Sequence, residues 1–309
     1  MEKTLLEPWI KLKNKLDQKD CEMIRALQTQ CCSHDQIALK LELDYKLADA
    51  LNSADASPLQ NINEFMCFEG ERLIGYIGIC SFGGSQTPFE VTGMVHPEYR
   101  RLGVFSKLHE LVIAECKRRN AAGVLVLCDK KAAAGQEFIK KIGASYEHSE
   151  FEMYLRSDAE ISADSLQGIA FQKATNADAR ELARQNAIYF GNHEKQDNEG
   201  TPFEPTLLPE EEEKHGVTIY FAEKGEQIVG KAHLQQTNGL GGIYGLGVLP
   251  ENRGKGLGRA ILLKSIEKLR ETGANEIMLQ VATENAAALN LYKSCGFEQT
   301  SAMDYFKLK

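Results

Sequence analysis

The chain has 309 residues, a net charge of −8, and ordinary globular proportions of hydrophobic (43%) and charged (26%) residues. Because domains usually span about 100 to 200 residues, this length favours two domains over a single large one. The negative charge argues against a general nucleic-acid binder, since such proteins hold phosphates with many Lys and Arg side chains. An anionic ligand would therefore need a local binding site.

No segment has the pattern of a secretory signal or a membrane span. The first 20 residues carry charges every few positions, and the longest apolar runs, such as residues 123–128, are only as long as a strand. The eight cysteines show no CxxC or Cys/His spacing, which argues against a zinc site and a disulfide framework. The sequence predicts a cytoplasmic protein without a metal, a nucleic-acid partner or a membrane partner.

The chain contains an internal duplication. Residues 94–115 (MVHPEYRRLGVFSKLHELVIAE) align with residues 247–268 (GVLPENRGKGLGRAILLKSIEK) at an offset of 153 positions, and the same offset pairs Gly143 with Gly296. Two copies of one unit explain the length of the chain. We expect a first domain at residues 1–156, a Ser- and Asp-rich linker at residues 157–168, and a second domain at residues 169–309.

The first copy differs from the second at its start. Residues 11–18 (KLKNKLDQ) are charged and dotted with Leu, and they are predicted to form a helix. Residues 36–47 (QIALKLELDYKL) fit either a strand or a helix. We expect the rest of the first copy to follow the order of the second.

The second copy shows an alternation of strand and helix patterns. The predicted order is a strand at 168–175, a helix capped near Thr175 or Asn176, a long acidic loop with a helix, a hairpin at 216–236, a strand at 241–250, a helix from Gly256 to about Arg270, a strand at 276–283, a helix from Asn285 to Gly296, and one or two closing strands. This order predicts an α/β fold in which each copy forms a mixed sheet flanked by helices.

A glycine-rich turn, VLPENRGKGLGRAILL at residues 248–263, joins a strand to a helix. The free amides of the first helical turn and the helix dipole favour an anion at this position. The glycines are Gly254, Gly256 and Gly258, and the basic residues around them are Arg253, Lys255 and Arg259. The turn predicts a phosphate or pyrophosphate site, and a glycine turn with solvated charges is the alternative.

Two common nucleotide-binding motifs fit this turn poorly. Its spacing is GxGxG rather than GxGxxG, and the strand that follows carries Gln280 where an acidic residue would bind a ribose. The Gly-Lys-Ser or Gly-Lys-Thr of a P-loop is missing as well. A nucleotide-dependent oxidoreductase is therefore disfavoured.

The turn resembles the acyl-CoA-binding turn of the GNAT superfamily of N-acyltransferases. That pattern is Gln or Arg, two variable residues, Gly, one variable residue, and then Gly or Ala, and Arg253, Gly256 and Gly258 fill its fixed positions. Residues 285–297 (NAAALNLYKSCGF) resemble a second GNAT hallmark through Asn285, the Leu-Tyr pair that ends at Tyr292, and a Gly-Phe pair. Two signatures in the right order are more specific than either alone.

The resemblance implies two tandem GNAT-like domains that use acetyl-CoA. Each sheet would be splayed between its fourth and fifth strands, and the pantetheine arm would lie in the gap. Backbone groups of Leu246, Gly247 and Val248 would pair with the pantetheine amides. The pyrophosphate would contact Arg253 and the backbone of Gly254, Lys255, Gly256, Leu257, Gly258 and Arg259. Asn285 would hold the pantetheine arm or the adjacent loop, a role compatible with that of a helix N-cap.

The reaction that the resemblance implies is direct attack of an amine on the thioester carbonyl. Tyr292 would protonate the leaving thiolate, and the alternative is that its ring only packs against the sheet. No general base is assigned, and His233, Tyr244 and Glu223 are interpreted as structural. The acidic run at residues 209–216 (PEEEEKHG) is interpreted as stabilising a helix start rather than attracting a cationic acceptor.

The two copies are not equivalent at these positions. Gly258, Asn285 and Tyr292 correspond in the first copy to Phe105, Ala132 and Ile139. We therefore expect the second copy to be catalytic, and the first to be a scaffold, a partial acyl-CoA site or a contributor to the acceptor pocket. The expected acceptor is a small-molecule or peptide amine, and the expected assembly is a monomer or homodimer. A non-catalytic acyl-CoA-binding or assembly module is the alternative function.

Overall fold

The structure is a computed structural model that describes residues 5–52, 61–81, 87–159, 168–190 and 208–308. Most of the expected linker and of the long loop that precedes residue 208 lies outside the described residues. The chain divides into two compact units, of which the first contains Met1–Glu150 and Ser301–Lys309 and the second contains Phe151–Thr300. The domain boundaries expected from the sequence stay a prediction.

The first unit is a mixed sheet with helices. Its elements are β1 (Pro8–Lys13), α1 (Gln18–Asp35), α2 (Leu43–Asn52), β2 (Glu64–Glu69), β3 (Arg72–Cys80), β4 (Phe89–Val95), α3 (Val104–Arg118), β5 (Val124–Asp129), α4 (Ala133–Ile142) and the first part of β6 (Ser145–Leu155). Strands β1 to β4 pair antiparallel in sequence order, and β4 pairs with β5 in parallel.

The helix predicted for residues 11–18 is wrong. Residues 11–13 end β1, where Lys11 and Lys13 pair with Met66 and Glu64 of β2. Helix α1 begins only at Gln18, because Asp17 and Asp20 form a capping box there. The two lysines hold the buried Asp20 carboxylate, and the Lys11 Nζ to Asp20 Oδ1 distance is 2.8 Å. The charges suggested a solvated helix, but they belong to a strand whose lysines neutralise a helix cap.

The ambiguous segment at residues 36–47 is neither a strand nor a helix in its first half. Gln36 ends α1 in the left-handed region (φ 55°), and no regular structure follows until α2 begins at Leu43. The Ala38 amide donates to Asp129 Oδ2 at 2.9 Å, so a side chain from β5 satisfies this irregular backbone.

The second unit repeats this plan. Its elements are the last part of β6, β7 (Ile169–Lys173), α5 (Ala179–Phe190), α6 (Pro209–Lys214), β8 (Val217–Lys224), β9 (Gln227–Thr237), β10 (Leu240–Val248), α7 (Leu257–Glu271), β11 (Glu276–Ala282), α8 (Ala286–Ser294) and the first part of β12 (Phe297–Lys307). Strands β7 to β10 pair antiparallel in sequence order, and β10 pairs with β11 in parallel. The predicted α/β fold with two mixed-sheet units is confirmed.

Helix α7 carries the main core contact of the second unit. Its predicted stripe of Leu262, Ile266 and Leu269 is almost completely buried, and Ile261 joins it in the core formed with β9 to β11. Burial of such a side chain contributes about 1.5 to 3 kcal/mol, so this face fixes the position of the helix and of the turn before it.

The parallel strand pair of each unit separates after a few residues. In the first unit the pairing runs from Phe89↔Val124 to Val91↔Val126, although β4 continues to Val95. In the second unit it runs from Leu240↔Glu276 to Ile243↔Leu279, although β10 continues to Val248. A β-bulge in β10, between Tyr244 and Gly247, lies just beyond this point. The predicted splay between the fourth and fifth strands is therefore confirmed.

The end of β12 completes the sheet of the first unit. Residues from Met303 to Lys307 pair antiparallel with Leu125–Asp129 of β5. The Tyr305 ring is buried beside Leu125 and Leu127. Its hydroxyl donates to Glu150 Oε2 at 2.6 Å and accepts from Lys40 Nζ at 2.8 Å. The last strand is thus part of the core of the first unit.

We expect Tyr305→Ala to lower the free energy of unfolding of the first unit by about 3 to 5 kcal/mol, because the substitution leaves a cavity in a packed core. Urea denaturation followed by circular dichroism measures this change. Leu51→Ala, at a side chain that is 79% exposed, is the control and should change the stability by less than about 0.5 kcal/mol. A similarly small effect of Tyr305→Ala would show that the end of β12 contributes little to this unit.

Candidate functional site

The glycine turn of the second unit has the backbone geometry of a helix start that is open to solvent. Gly254 (φ +73°) and Gly256 (φ +77°) adopt the left-handed region, and Gly256 is the N-cap of α7. A Cβ atom on Gly254 would meet no atom within 4 Å. Glycine is therefore favoured there by the backbone conformation rather than by crowding. The open space beside it is what an anion needs.

The first amides of α7 are free for a ligand. The first bond of the helix runs from the Ala260 amide to the Gly256 carbonyl at 3.2 Å, so the amides of Leu257, Gly258 and Arg259 have no acceptor within the helix. A Cβ atom on Gly258 would make only ordinary contacts, at 3.4 Å with Leu291 and 3.6 Å with Val248. The turn thus lies beside the end of β10 and the start of the splay.

The three basic side chains of the turn make bonds only to neutral groups. Arg253 Nε donates to the Val248 carbonyl at 3.1 Å, and Lys255 Nζ donates to the Glu251 carbonyl at 2.8 Å. The Arg259 guanidinium donates to the Ser294 hydroxyl at 2.9 Å and to its carbonyl. Among the residues that the structure describes, no carboxylate pairs with any of them. Within those ranges, their positive charge thus has no carboxylate partner beside the free amides.

The corresponding arginine of the first unit is neutralised. Arg100 Nε donates to the Val95 carbonyl at 3.1 Å, as Arg253 does to Val248, but its two Nη atoms also bind Asp35 at 2.9 and 2.6 Å. This guanidinium holds the pKa of Asp35 below its usual value. Phe105, at the position of Gly258, packs edge-on against Phe138 with ring centroids 4.7 Å apart.

A cavity of about 630 Å³ nevertheless lies at the splay of the first unit. Its wall includes Gly103, Phe105, Val126 and Phe138, so the cavity lies between β4 and β5 and beside α4. The first unit therefore also has an open space between its separated strands, but Arg100, which lines this space, is already paired with Asp35.

Asn285 caps α8. Its Oδ1 accepts from the Ala288 amide at 3.1 Å, and the side chain is exposed. The Nδ2 group makes no hydrogen bond to any residue in the described part of the second unit. The N-cap role is therefore observed, and the proposed contact to pantetheine remains compatible with it.

Tyr292 lies on α8 with its side chain 8% exposed and its ring 6.2 Å from that of Phe297. Burial raises the pKa of its hydroxyl to about 12, so the group is protonated at neutral pH. No described residue forms a hydrogen bond with this hydroxyl. A buried, protonated phenol without a protein partner is able to donate to a ligand.

The bulge of β10 lies directly under α5. A Cβ atom on Gly247 would come within 2.3 Å of the Tyr189 ring, so this position requires glycine. The Tyr189 hydroxyl is fixed by donation to Gln185 Oε1 at 3.0 Å. The neighbours Leu246 and Val248 are half-buried and pack against the core of the second unit. Leu246, Gly247 and Val248 form the end of β10, which the family resemblance implies would contact pantetheine.

Lys231, which was not among the residues predicted from the sequence, is fully buried on β9 opposite Gly247. Its Nζ lies 2.9 Å from His233 Nε2 and 3.3 Å from the Gly245 carbonyl, which it donates to. Burial lowers the pKa of Lys231 to about 7, and burial together with Lys231 lowers that of His233 to about 3. The available signal was one lysine inside the otherwise apolar run at residues 228–232, IVGKA.

The other candidate acceptor-side residues have structural contacts. The Tyr244 hydroxyl donates to Met278 Sδ at 3.5 Å, and Glu223 is half-buried on β8 opposite Ile228. In the acidic run, Pro209 begins α6 and three glutamates occupy its first turn. Glu213 pairs with Lys173 at 2.5 Å. These contacts favour the interpretation of the run as a stabilised helix start.

The described residues contain no group of three or more His, Cys, Asp or Glu side chains placed to hold a metal ion. Within the same ranges, every helix is too short or too polar to cross a lipid bilayer.

Comparison with known proteins gives the family. A mycothiol acetyltransferase from Renibacterium salmoninarum is 28% identical over 219 residues, which cover 68% of this chain and 64% of that protein, less than two thirds of its length. A GCN5-related N-acetyltransferase from Sphaerobacter thermophilus has the same fold (TM-score 0.71, 18% identity, 98% and 96% of the two chains). So does a tandem GNAT protein from the clavulanic acid biosynthesis pathway (TM-score 0.68, 14% identity, 97% and 98%). The profile of the acetyltransferase (GNAT) family matches residues 21–144 and 180–297. Since these two matches cover most of both copies, the chain belongs to the acetyltransferase (GNAT) family and carries two such units in tandem.

Proposed function

We propose that the second unit transfers an acetyl group from acetyl-CoA to a primary amine of a small molecule or peptide. The observation that carries the proposal is the uncompensated charge of Arg253 beside free helix amides, in the unit that also holds the unpartnered Tyr292 hydroxyl. In the first unit the equivalent arginine, Arg100, is bound by Asp35. Ile139 stands there in place of the tyrosine.

The residues present fit acetyl-CoA. Beyond Ile243 the edge of β10 that faced β11 has no strand partner, so backbone groups of Leu246, Gly247 and Val248 are able to bond pantetheine amides. The amides from Gly254 to Arg259 offer donors to a pyrophosphate, and Arg253 and Lys255 add charge-assisted bonds. To contact the pyrophosphate, the Arg259 guanidinium would give up its bonds to Ser294, or it would bond Ser294 and the pyrophosphate together.

The proposed reaction begins with attack of the amine on the thioester carbonyl. Electrons move to sulfur as the carbon–sulfur bond breaks, and Tyr292 donates its proton to the leaving thiolate. Because the pKa of Tyr292 is raised, its hydroxyl stays protonated until negative charge develops on the sulfur.

The acceptor is the open part of the proposal. The relative from Renibacterium salmoninarum is a mycothiol acetyltransferase, so the acceptor of that class of enzyme belongs in a screen. Aminoglycosides, polyamines, amino acids and peptides with a free N-terminus complete the panel, with release of the coenzyme A thiol as the readout. Binding of acetyl-CoA without transfer to any amine would favour a non-catalytic acyl-CoA-binding module. The cytoplasmic location and the monomeric or dimeric state stay predictions.

We expect Tyr292→Phe to lower kcat, because the phenyl ring keeps the packing but has no proton to donate. General acids contribute about 10²- to 10⁴-fold to a rate, so a loss in this range is expected. Steady-state kinetics over a range of pH measures the loss, and calorimetry should show nearly normal affinity for acetyl-CoA.

Tyr220→Phe is the matched control, because Tyr220 lies in the same unit but stacks on Phe171 on β7. It should retain normal turnover. Turnover of Tyr292→Phe that equals that of the control at every pH would remove Tyr292 from the mechanism.

We expect Gly258→Phe, which introduces the residue of the first copy, to weaken acetyl-CoA binding at least tenfold, or about 1.4 kcal/mol. The ring would cover amides of the first turn of α7. Gly258→Ala is the control, because a Cβ atom there makes ordinary contacts at 3.4 Å and 3.6 Å. Titration calorimetry on the full chain measures both affinities. Equal affinity of the two variants would place the pyrophosphate elsewhere.

A further inference from the structure

We propose that Lys231 is the general base of the second unit and accepts the proton that the acceptor ammonium must lose before it attacks. This inference rests on the proposed function, since it assigns a further role in the same reaction. An amine with a pKa near 10 is almost entirely protonated at neutral pH and has no lone pair for attack. A base at the site is therefore required.

The position of Lys231 suits this role. Its Nζ donates to the carbonyl of Gly245, inside the β10 bulge and one residue before Leu246. That is where β10 has left β11, directly before the stretch from Leu246 to Val248 that is proposed to bond the pantetheine amides. Because Lys231 is fully buried, the proposal requires that a water molecule relay the acceptor proton to Nζ.

The hydrogen bonds of Lys231 match a neutral amine. A neutral amino group has two N–H donors and one lone pair, whereas an ammonium group has three donors. His233 Nε2 and the Gly245 carbonyl provide two acceptors, at 2.9 and 3.3 Å. This assignment places the proton of the neutral His233 ring on Nδ1. Both N–H groups are then used, and the lone pair remains for a proton.

Burial without a carboxylate partner is the main influence on the charge of Lys231. His233 from the same strand and Tyr244 from β10 face this region, and the paired residue on β8 is Phe221. Nζ also lies over the Tyr189 and Phe190 rings of α5, at 5.8 and 5.6 Å from their centroids, and such contacts weakly favour an ammonium group. Within the described ranges, no carboxylate lies within ion-pair distance of Nζ. Burial without a counter-charge disfavours the ammonium form and lowers the pKa of Lys231 to about 7. A base poised near the working pH is the most effective.

The first unit shows the opposite arrangement. Tyr76 pairs with Met94 of β4 as Lys231 pairs with Gly247 of β10, and Met94 aligns with Gly247 in the duplication, so Tyr76 stands at the position of Lys231. A buried lysine, Lys46, approaches Tyr76 from α2. Lys46 is paired with both oxygens of Glu64 at 2.9 Å, and this partner raises the pKa of Lys46. A lysine held as an ammonium cannot accept a proton. The base is thus specific to the second unit.

All protons are accounted for in the proposed acetyl transfer. The acceptor ammonium gives one proton to Lys231 Nζ, and the freed amine forms the carbon–nitrogen bond to the acetyl carbon. The carbon–sulfur bond breaks, and the sulfur takes the proton of Tyr292. The attacking nitrogen returns a proton to Tyr292 as the amide forms. Lys231 releases its proton to solvent, so each acetyl transfer liberates one proton.

The first test is the pH profile of Lys231→Met in the full chain. In the unmodified protein, kcat/KM should rise with pH to a plateau above about 7, the pKa of Lys231. The variant should lose about 10²- to 10⁴-fold in kcat/KM at pH 7. Its activity should recover only as pH approaches the pKa of the free acceptor, near 10. Affinity for acetyl-CoA should stay within threefold. A variant with the unmodified rate and pH profile would overturn the proposal.

The second test needs no activity. The folded pKa of Lys231, about 7, lies below its ordinary value of 10.5. Between these two values the unfolded chain binds more protons, so the free energy of unfolding rises with pH. The stability of the unmodified protein relative to Lys231→Met should therefore increase from pH 7 to pH 10 in urea denaturation. Lys264→Met, whose lysine pairs with Glu267 at the surface of α7, should show no such increase.

The two tests separate the base from the function. A pH-independent stability difference for Lys231→Met, with acetyl transfer intact, would overturn the role of Lys231 and leave the proposed function standing. The expected stability increase, with no transfer to any amine, would overturn the proposed function and the base role with it. The increase together with the shifted pH profile supports both.

Discussion

The separation of β10 from β11 after the Ile243↔Leu279 pair is the constraint on which the site depends. A strand that leaves its neighbour within a sheet exposes backbone donors and acceptors, and these groups must find other partners. The bulge between Tyr244 and Gly247 turns this stretch of backbone, and Gly247 lets the Tyr189 ring lie against it. The glycine turn and the first amides of α7 follow immediately along the chain. The unpaired edge of β10 thus offers backbone groups for amides, and the turn that follows it offers donors for an anion. This order matches a ligand that carries amides at one end and phosphates at the other.

The two units keep this scaffold and differ in how their charges are paired. Each arginine at the turn donates its Nε to the carbonyl at the end of the preceding strand. Among the described residues, Arg100 also forms an ion pair with Asp35, whereas Arg253 has no carboxylate partner. An anion that binds at Arg100 would have to displace Asp35. Charge-assisted bidentate pairs are the stronger kind of hydrogen bond, which makes that displacement costly. The two buried lysines differ in the same way. Lys46 forms an ion pair with Glu64, whereas Lys231 contacts neutral groups such as His233. The two units share this backbone plan and differ in the pairing of a few charges.

Features encoded by short-range patterns were predictable from the sequence. The order of strands and helices, the apolar stripe of α7, and the N-cap at Asn285 depend on neighbours three or four residues away. Features that depend on distant partners were missed. Residues 11–13, for example, join a strand because β2 pairs with them. Lys231 has the residue type of a surface position, yet it is fully buried, with its Nζ over the Tyr189 and Phe190 rings of α5. The candidate acid could be found from a motif, whereas the candidate base required the fold.

Burial has complementary consequences for these two groups. Removal from water disfavours a charged group whatever the sign of its charge. The uncharged form of a tyrosine is an acid and the uncharged form of a lysine is a base, so burial leaves each group in the protonation state that its proposed role requires. It raises the pKa of Tyr292 and lowers that of Lys231, and no charged partner is needed for either shift. A carboxylate near Lys231 would restore its ammonium form and remove the base, as Glu64 does for Lys46. The missing counter-charge around Lys231 lowers stability at neutral pH, and such a cost is typical of positions that serve chemistry rather than folding.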